Sequence, residues 1–241
     1  MNRLLLVAIA ATTFCAGPVM AQSAKFAAGW DTAPVSATSN DSCVYDPLLD
    51  SSICTDNPDG TNVTMLLATL KIPQGKEVLV SVSAETLIHL ITEAKGGRKN
   101  VSDVTENFSS RALAQGDVEV TLSLVATNGS TCGIAPDSNV TLASEMRELT
   151  VSGGGDMTML TDEDFWIEVG IETASKGAHH FEFLGVNCDQ GDYSLTATFD
   201  LTAITKASGY DSNAVATVTL YDRMVTMQEV RAVKGSLVSG D

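Results

Sequence analysis

The clearest signal in the chain is a two-residue alternation of apolar and polar positions. Val118, Val120, Leu122 and Leu124 alternate with Glu119, Thr121 and Ser123. Phe165, Ile167, Val169 and Ile171 alternate with Trp166, Glu168, Gly170 and Glu172, and Leu195, Ala197, Phe199 and Leu201 with Thr196, Thr198, Asp200 and Thr202. Successive side chains of a strand point to opposite faces, so each run predicts a half-buried strand. Further β-branched and apolar runs at 63–72, 77–92, 146–152, 156–160, 178–185 and 214–232 bring the expectation to about nine strands. Turns are expected at Pro73-Gln74-Gly75, Lys95-Gly96-Gly97, Asn128-Gly129, Gly153-Gly154-Gly155 and Gly191-Asp192, and another at Gly209-Tyr210-Asp211. The last run changes its apolar phase around Asp222 and Arg223, which predicts a bulge. Helix is expected only over a short stretch near 103–114. The pattern predicts an all-β fold over residues 63–241, an antiparallel β-sandwich or jelly-roll-like domain.

Residues 22–62 lack that alternation and are rich in Ser, Thr, Asp, Asn and Pro. They are expected to form an irregular N-terminal arm. Within it Val44, Tyr45, Leu48, Leu49 and Ile53 are apolar enough to pack on the main domain. Residues 1–21 have the form of a cleavable export signal: Met1-Asn2-Arg3, an apolar run from Leu4 to Ala11, and small residues at Val19 and Ala21. Removing that segment removes Cys15 and leaves Cys43, Cys54, Cys132 and Cys188. An even cysteine count in an exported chain predicts two disulfides. Of three possible pairings, Cys43–Cys54 closes a short loop and Cys132–Cys188 joins two turn-like segments; this is the expected pairing. Zinc is disfavoured because no Cys-x-x-Cys pair exists.

Composition narrows the partners. The 241 residues carry 14 Lys+Arg against 30 Asp+Glu, a formal net charge of −16. That charge opposes binding to nucleic acid or to anionic lipid, both of which call for a basic footprint. No later apolar run is long enough for a transmembrane helix. An outer-membrane barrel fits poorly, because such barrels carry aromatic girdles, and the chain has 7 Phe, 2 Trp and 4 Tyr and ends Ser239-Gly240-Asp241. The expected location is the periplasm or the outside of the cell.

The candidate chemistry is sparse. Neither a Gly-x-Ser-x-Gly elbow nor a His-Glu-x-x-His motif is present. His179 and His180 are adjacent, so a strand would send them to opposite faces, and His89 lies in a strand-like run. Asp56, Asn57, Asp59 and Asn62 gather oxygen ligands in one segment and could hold a structural calcium in a flexible loop. Asp162-Glu163-Asp164 and the pair Asp189 and Asp192 are further acidic groupings. Trp166, Glu168 and Glu172 share a predicted wet face and could form a sugar platform by ring stacking, with Tyr193 and Tyr210 the other available aromatics. Lys95-Gly96-Gly97-Arg98-Lys99 is expected at a solvated hairpin tip.

Three functional readings follow. The first is an exported non-catalytic β-sandwich that acts by contact, as a surface, matrix or filament subunit or an adhesin-like module, with the arm and the final strand as exchange elements. The second is a carbohydrate-binding jelly-roll module. The third is a hydrolase with a site built from loops. No cofactor is expected beyond a structural calcium, and the expected partners are a second copy of the chain or a surface glycan.

Overall fold

The computed structural model describes residues 26–46, 48–49, 51–55, 59–66, 70–74, 76–101, 104–152 and 165–230. Among the described residues there are twelve strands: β1 (Phe26–Asp31), β2 (Val35–Asp46), β3 (Ser51–Thr55), β4 (Asp59–Leu66), β5 (Leu70–Ile72), β6 (Glu77–Val101), β7 (Val104–Ala126), β8 (Gly133–Ala135), β9 (Asn139–Ser152), β10 (Phe165–Val186), β11 (Gly191–Gly209) and β12 (Asp211–Val230). All pairings between them are antiparallel. They form one continuous sheet that curls back on itself into two facing layers.

The first layer runs β3-β2-β12-β6-β10, with β1 following β2 along the same flank of β12, and β8 on the far end of β10. The second runs β9-β7-β11-β4, with β5 continuing the β4 position. The layers are continuous where β6 and β7 pair over Gly97–Val101 and Val104–Phe108. Val80, Val82, Leu90, Val218 and Leu220 of the first layer and Val118, Val120, Leu195, Phe199 and Leu201 of the second are fully or almost fully buried in one core. A Cβ on Gly116 would stand 2.7 and 2.8 Å from Val218 Cγ2 and Ile88 Cγ2, so glycine lets the layers close at that point. Ser39 and Thr205 share a buried hydroxyl–hydroxyl hydrogen bond of 2.7 Å between β2 and β11, which satisfies both groups inside the core.

Several expectations are corrected. The segment 22–62 is not irregular where it is described: it supplies β1, β2, β3 and the start of β4, which crosses the expected boundary at residue 62. Val35, Ala37, Ser39, Asp41 and Cys43 do alternate with Ser36, Thr38, Asn40 and Ser42, but polar residues occupy two of the inward positions and hide the period. Residues 104–114 are strand, not helix. Their inward positions Ser110, Ala112 and Ala114 are small and give a weak pattern, and long-range pairing with β9 and β11 decides the outcome. Lys95-Gly96-Gly97 is no hairpin tip; β6 passes straight through it. Gly96 stands where the backbone carbonyl of Val151 comes within 2.9 Å of a would-be Cβ, so this glycine marks a close approach of chains.

The bulge on β12 lies where the phase shift predicts it. The register jumps between Leu220↔Thr86 and Arg223↔Ala84, with Tyr221 and Asp222 of β12 against the single residue Glu85 of β6. Inward positions on β12 therefore change from even (Ala214, Ala216, Val218, Leu220) to odd (Arg223, Val225, Met227). The Gly209-Tyr210-Asp211 turn is also present, with Gly209 at φ 96°. Both disulfides have the expected pairing, Cys43–Cys54 with Cα atoms 4.1 Å apart and Cys132–Cys188 at 4.7 Å. Two disulfides fit an oxidising compartment.

Candidate functional site

The residues of the expected sugar platform do share the outer face of β10. Trp166, however, is built into a stack. Tyr210 lies against it at 4.7 Å between ring centroids and 24° between planes, and Tyr45 lies against Tyr210 at 4.5 Å and 26°. Phe108 touches all three rings, and the Lys95 ammonium stands 5.6 Å from the Trp166 ring centroid. Tyr210 thus joins the β11–β12 turn to β2 and β10. Below it, Ser110 Oγ donates to the Lys95 carbonyl at 2.5 Å and accepts from Asp211 N at 2.9 Å. The four rings pack on one another, so the cluster ties β2, β7, β10 and the β11–β12 turn together. Glu172 accepts or shares a hydrogen bond with His89 Nε2 at 2.8 Å, and Glu168 borders a small depression with Glu93, Lys95 and Asn213. Tyr193, the third aromatic considered, is buried in the core.

Other expected chemistry is dispersed. His179 and His180 do face opposite ways, His179 to Thr86 at 3.2 Å and His180 Nδ1 to Ser83 at 2.8 Å. Ser83, His180 and Glu182 form a row, but Glu182 stands 3.7 Å from His180 Nε2. That exceeds a hydrogen bond, so the carboxylate does not orient the ring as a hydrolytic triad requires. Depressions of about 330 and 460 Å³ border Asp41, Arg111 and Lys206 in one case and Cys132 and Asp137 in the other, and a third of about 300 Å³ is lined by His179 and Glu145. Among the described residues no group of three or more His, Cys, Asp or Glu could hold a metal ion. Asp56, Asn57 and Asp162-Glu163-Asp164 lie outside the described residues. Asp59 and Asn62 fall within β4, paired with Ala203 and Asp200 of β11, in place of the open loop expected for calcium. Lys176 on β10 pairs with Glu85 on β6; the hydrogen bond and charge of Glu85 hold its ammonium pKa above the ordinary value.

What the chain does gather is apolar surface, at the N-terminal flank of the first layer. β1 is inside out. Its inward positions are Ala27 and Gly29, opposite Met227 and Val225, and its outward positions are Phe26, Ala28 and Trp30. Phe26 is 60% and Trp30 73% exposed, and Met224, the cross-strand partner of Trp30, is exposed beside it. At the other end of the same face the disulfide-stapled β2–β3 hairpin shows Val44 opposite Ile53, with Leu48 (92% exposed) and Leu49 at its tip. Of the five residues expected to pack on the domain, Val44, Leu48, Leu49 and Ile53 are exposed, whereas Tyr45 packs against Phe108 and Tyr210. Between the two apolar ends runs a hydroxyl ladder, Ser36 with Thr219 at 2.9 Å and Ser42 with Thr55 at 3.1 Å.

A buried cation anchors β1. Arg223, turned inward by the bulge and 3% exposed, binds Asp31 and donates to the Ala33 carbonyl at 2.8 Å. It therefore fixes the corner where Thr32-Ala33-Pro34 joins β1 to β2. Sequence reading missed Trp30 because it treated this region as an arm. The available signal was Phe26-Ala27-Ala28-Gly29-Trp30, two aromatics four apart with small residues between them.

No protein-family model matches the chain, and no curated protein does. Among solved structures, the chain is similar to one described as infectious bursal disease virus, Gt strain, at 12% identity and a TM-score of 0.16, over 90% of this chain and 43% of that one. It is also similar to the VP2 subviral particle of the same virus at 10% identity and 0.15, over 86% of this chain and 65% of that one. The chain thus spans less than two thirds of either. Likeness at that level carries no function to this chain.

Proposed function

We propose that this chain is an exported, non-catalytic β-sandwich that acts by contact, as a surface, matrix or filament subunit or an adhesin-like module. One observation carries the reading: β1 turns its small residues to the core and its aromatics to solvent. Exposed apolar groups clustered on one flank mark an interaction surface. The strongly acidic composition opposes random association, and the apolar flank carries several of the most exposed large apolar side chains, Trp30 and Leu48 among them.

The test is size-exclusion chromatography with light scattering and negative-stain microscopy on protein made in an oxidising compartment. Concentration-dependent oligomers or fibres that Trp30→Ala weakens are expected. A monomer at every concentration, with no retention on any glycan surface, would overturn the reading.

Trp30 also supports a second reading, carbohydrate binding. Its broad exposed indole is a better stacking surface than Trp166, whose ring is engaged by Tyr210. Retention on immobilised polysaccharide that Trp30→Ala abolishes and Trp166→Ala leaves intact would favour it.

A further inference from the structure

Resting on the contact reading, we propose that the partner at β1 is a second copy of this chain, joined by antiparallel β1–β1 pairing about a two-fold axis centred on Ala28. Among the described residues β12 is the only strand that pairs with β1, so its opposite flank offers main-chain donors and acceptors to an incoming strand.

The register follows from side-chain parity. Directly opposed residues of an antiparallel pair share a face. Outward residues of one copy must therefore oppose outward residues of the other, which restricts the two-fold axis to positions that keep Phe26, Ala28 and Trp30 together. Centring on Ala28 sets Phe26 of each copy against Trp30 of the other and Ala28 against Ala28. Both aromatics then gain a cross-strand aromatic neighbour, twice over by symmetry. Centring on Ala27 or Gly29 instead leaves one aromatic of each strand without a partner in β1. A strand whose outward residues complement themselves on reversal is what an isologous interface requires.

Charge favours the same occupant. Phe26–Trp30 carries no ionisable side chain, in a chain of net charge −16. Two copies can meet there without bringing acids together. The other long flank of this layer differs: β10 carries Glu168, Glu172, Lys176, His180 and Glu182 on its outer face, the charged dressing that discourages edge pairing. The joint would extend the first layer continuously from one copy into the next. It would bring Met224 of each copy beside the aromatic rows, since Met224 is the partner of Trp30 across β12.

The experiment is Ala28→Cys in the full chain under mild oxidation, with Thr150→Cys on the exposed face of β9 as control. Residues opposed at a two-fold axis of an antiparallel pair lie within disulfide reach. Expected is a covalent dimer from Ala28→Cys and little or none from Thr150→Cys, with Cys43–Cys54 and Cys132–Cys188 intact by peptide mapping. Trp30→Lys, checked for native circular dichroism, should shift the concentration-dependent species to monomer. A wild-type oligomer that resists Trp30→Lys and dissolves with Leu48→Ser/Leu49→Ser would overturn the β1 joint while leaving the contact reading in place. Retention on polysaccharide by a strictly monomeric chain would likewise overturn the joint alone. A monomer without any retained surface would overturn both.

Discussion

Phe108 and Trp166 are cross-strand partners of the same residue, Gly97, one from each side, and their ring centroids lie 5.7 Å apart. Gly97 has no side chain to separate them, so two strands that are not neighbours bring their rings together over it. A glycine in mid-strand weakens a sheet, and flanking aromatics that cover it restore packing. Here they do so where the two layers become continuous, and Tyr210 and Tyr45 extend the cover to the β11–β12 turn and to β2.

The ring cluster should therefore behave as a structural unit. Trp166→Ala is expected to cost about 2–3 kcal/mol, somewhat less than a fully buried aromatic truncation because the ring is half-buried. A double-mutant cycle of Phe108→Ala and Trp166→Ala should show a coupling of about 0.5–1.5 kcal/mol. Urea unfolding of the four proteins measures both. Additive losses would mean the rings merely neighbour one another.

Gly209 gives a sharper expectation. Its φ is 96°, and a Cβ there would fall 2.1 Å from the Ser109 carbonyl oxygen and 2.7 Å from Ser110 Cα. Those are backbone atoms held by pairing with β11 and β9, and they cannot swing aside. Gly209→Ala should lose about 3 kcal/mol or more, against a change within about 0.5 kcal/mol for the exposed neighbour Ser208→Ala. Thermal or urea midpoints of the two variants separate the cases.

The disulfides should differ in value. Loop-closure entropy predicts about 3 kcal/mol for Cys43–Cys54 and about 4 kcal/mol for Cys132–Cys188, which span 11 and 56 residues. The paired variants Cys43→Ser/Cys54→Ser and Cys132→Ser/Cys188→Ser, unfolded in urea, measure the difference. Only the first should also loosen the Val44–Ile53 hairpin in hydrogen exchange, because Cys43 and Cys54 are direct strand partners there.

Lys176 supplies a pH dependence whose sign can be stated. Its folded pKa is raised, chiefly by the hydrogen bond and charge of Glu85. Any stability it contributes is complete below the ordinary lysine pKa and is lost as pH rises through the raised folded value. The difference in urea midpoint between wild type and Lys176→Met should therefore shrink in strongly alkaline buffer. It should be small throughout and fall with salt, because the pair lies at the surface.

Where the core is made of large residues, the fold was legible. The alternations at 118–124 and 195–202 became the inward rows of β7 and β11, and the lone phase shift at Asp222 and Arg223 became the bulge. Legibility failed where the inward residue is small or polar. Ala112 and Ala114 are buried but small, and Gly116 sits under Ile88 and Val218, so the bulk at that point of the strand belongs to its partner layer. Gly96 looks like a turn residue in the sequence, yet it is a point of backbone contact with Val151. The candidate surface was hidden for a related reason. In β1 the usual relation of apolar to buried is reversed, and a reading that assigns large apolar residues to the interior cannot place Phe26 and Trp30.

The anchor of that strand yields an asymmetric prediction. Arg223 is almost wholly buried, whereas the Asp31 side chain it binds is 44% exposed. Removing Asp31 strands a buried guanidinium, still held by the Ala33 and Tyr221 carbonyls but without its counter-charge. Removing Arg223 leaves a carboxylate that water can reach. Breaking a buried pair from the hydrated side is thus the more damaging change, at about 3 kcal/mol or more. Arg223→Met, which keeps the stem and fills the space, should cost less, on the order of 1–2 kcal/mol. Asp31→Ala and Arg223→Met compared in urea measure that order. Both should raise hydrogen exchange in β1 more than in β2, since β2 keeps its own pairing with β12 over Val35–Cys43 and its staple to β3. If the two variants cost the same, the corner is held by its main-chain contacts, and the charge on Arg223 is incidental to the placement of Trp30.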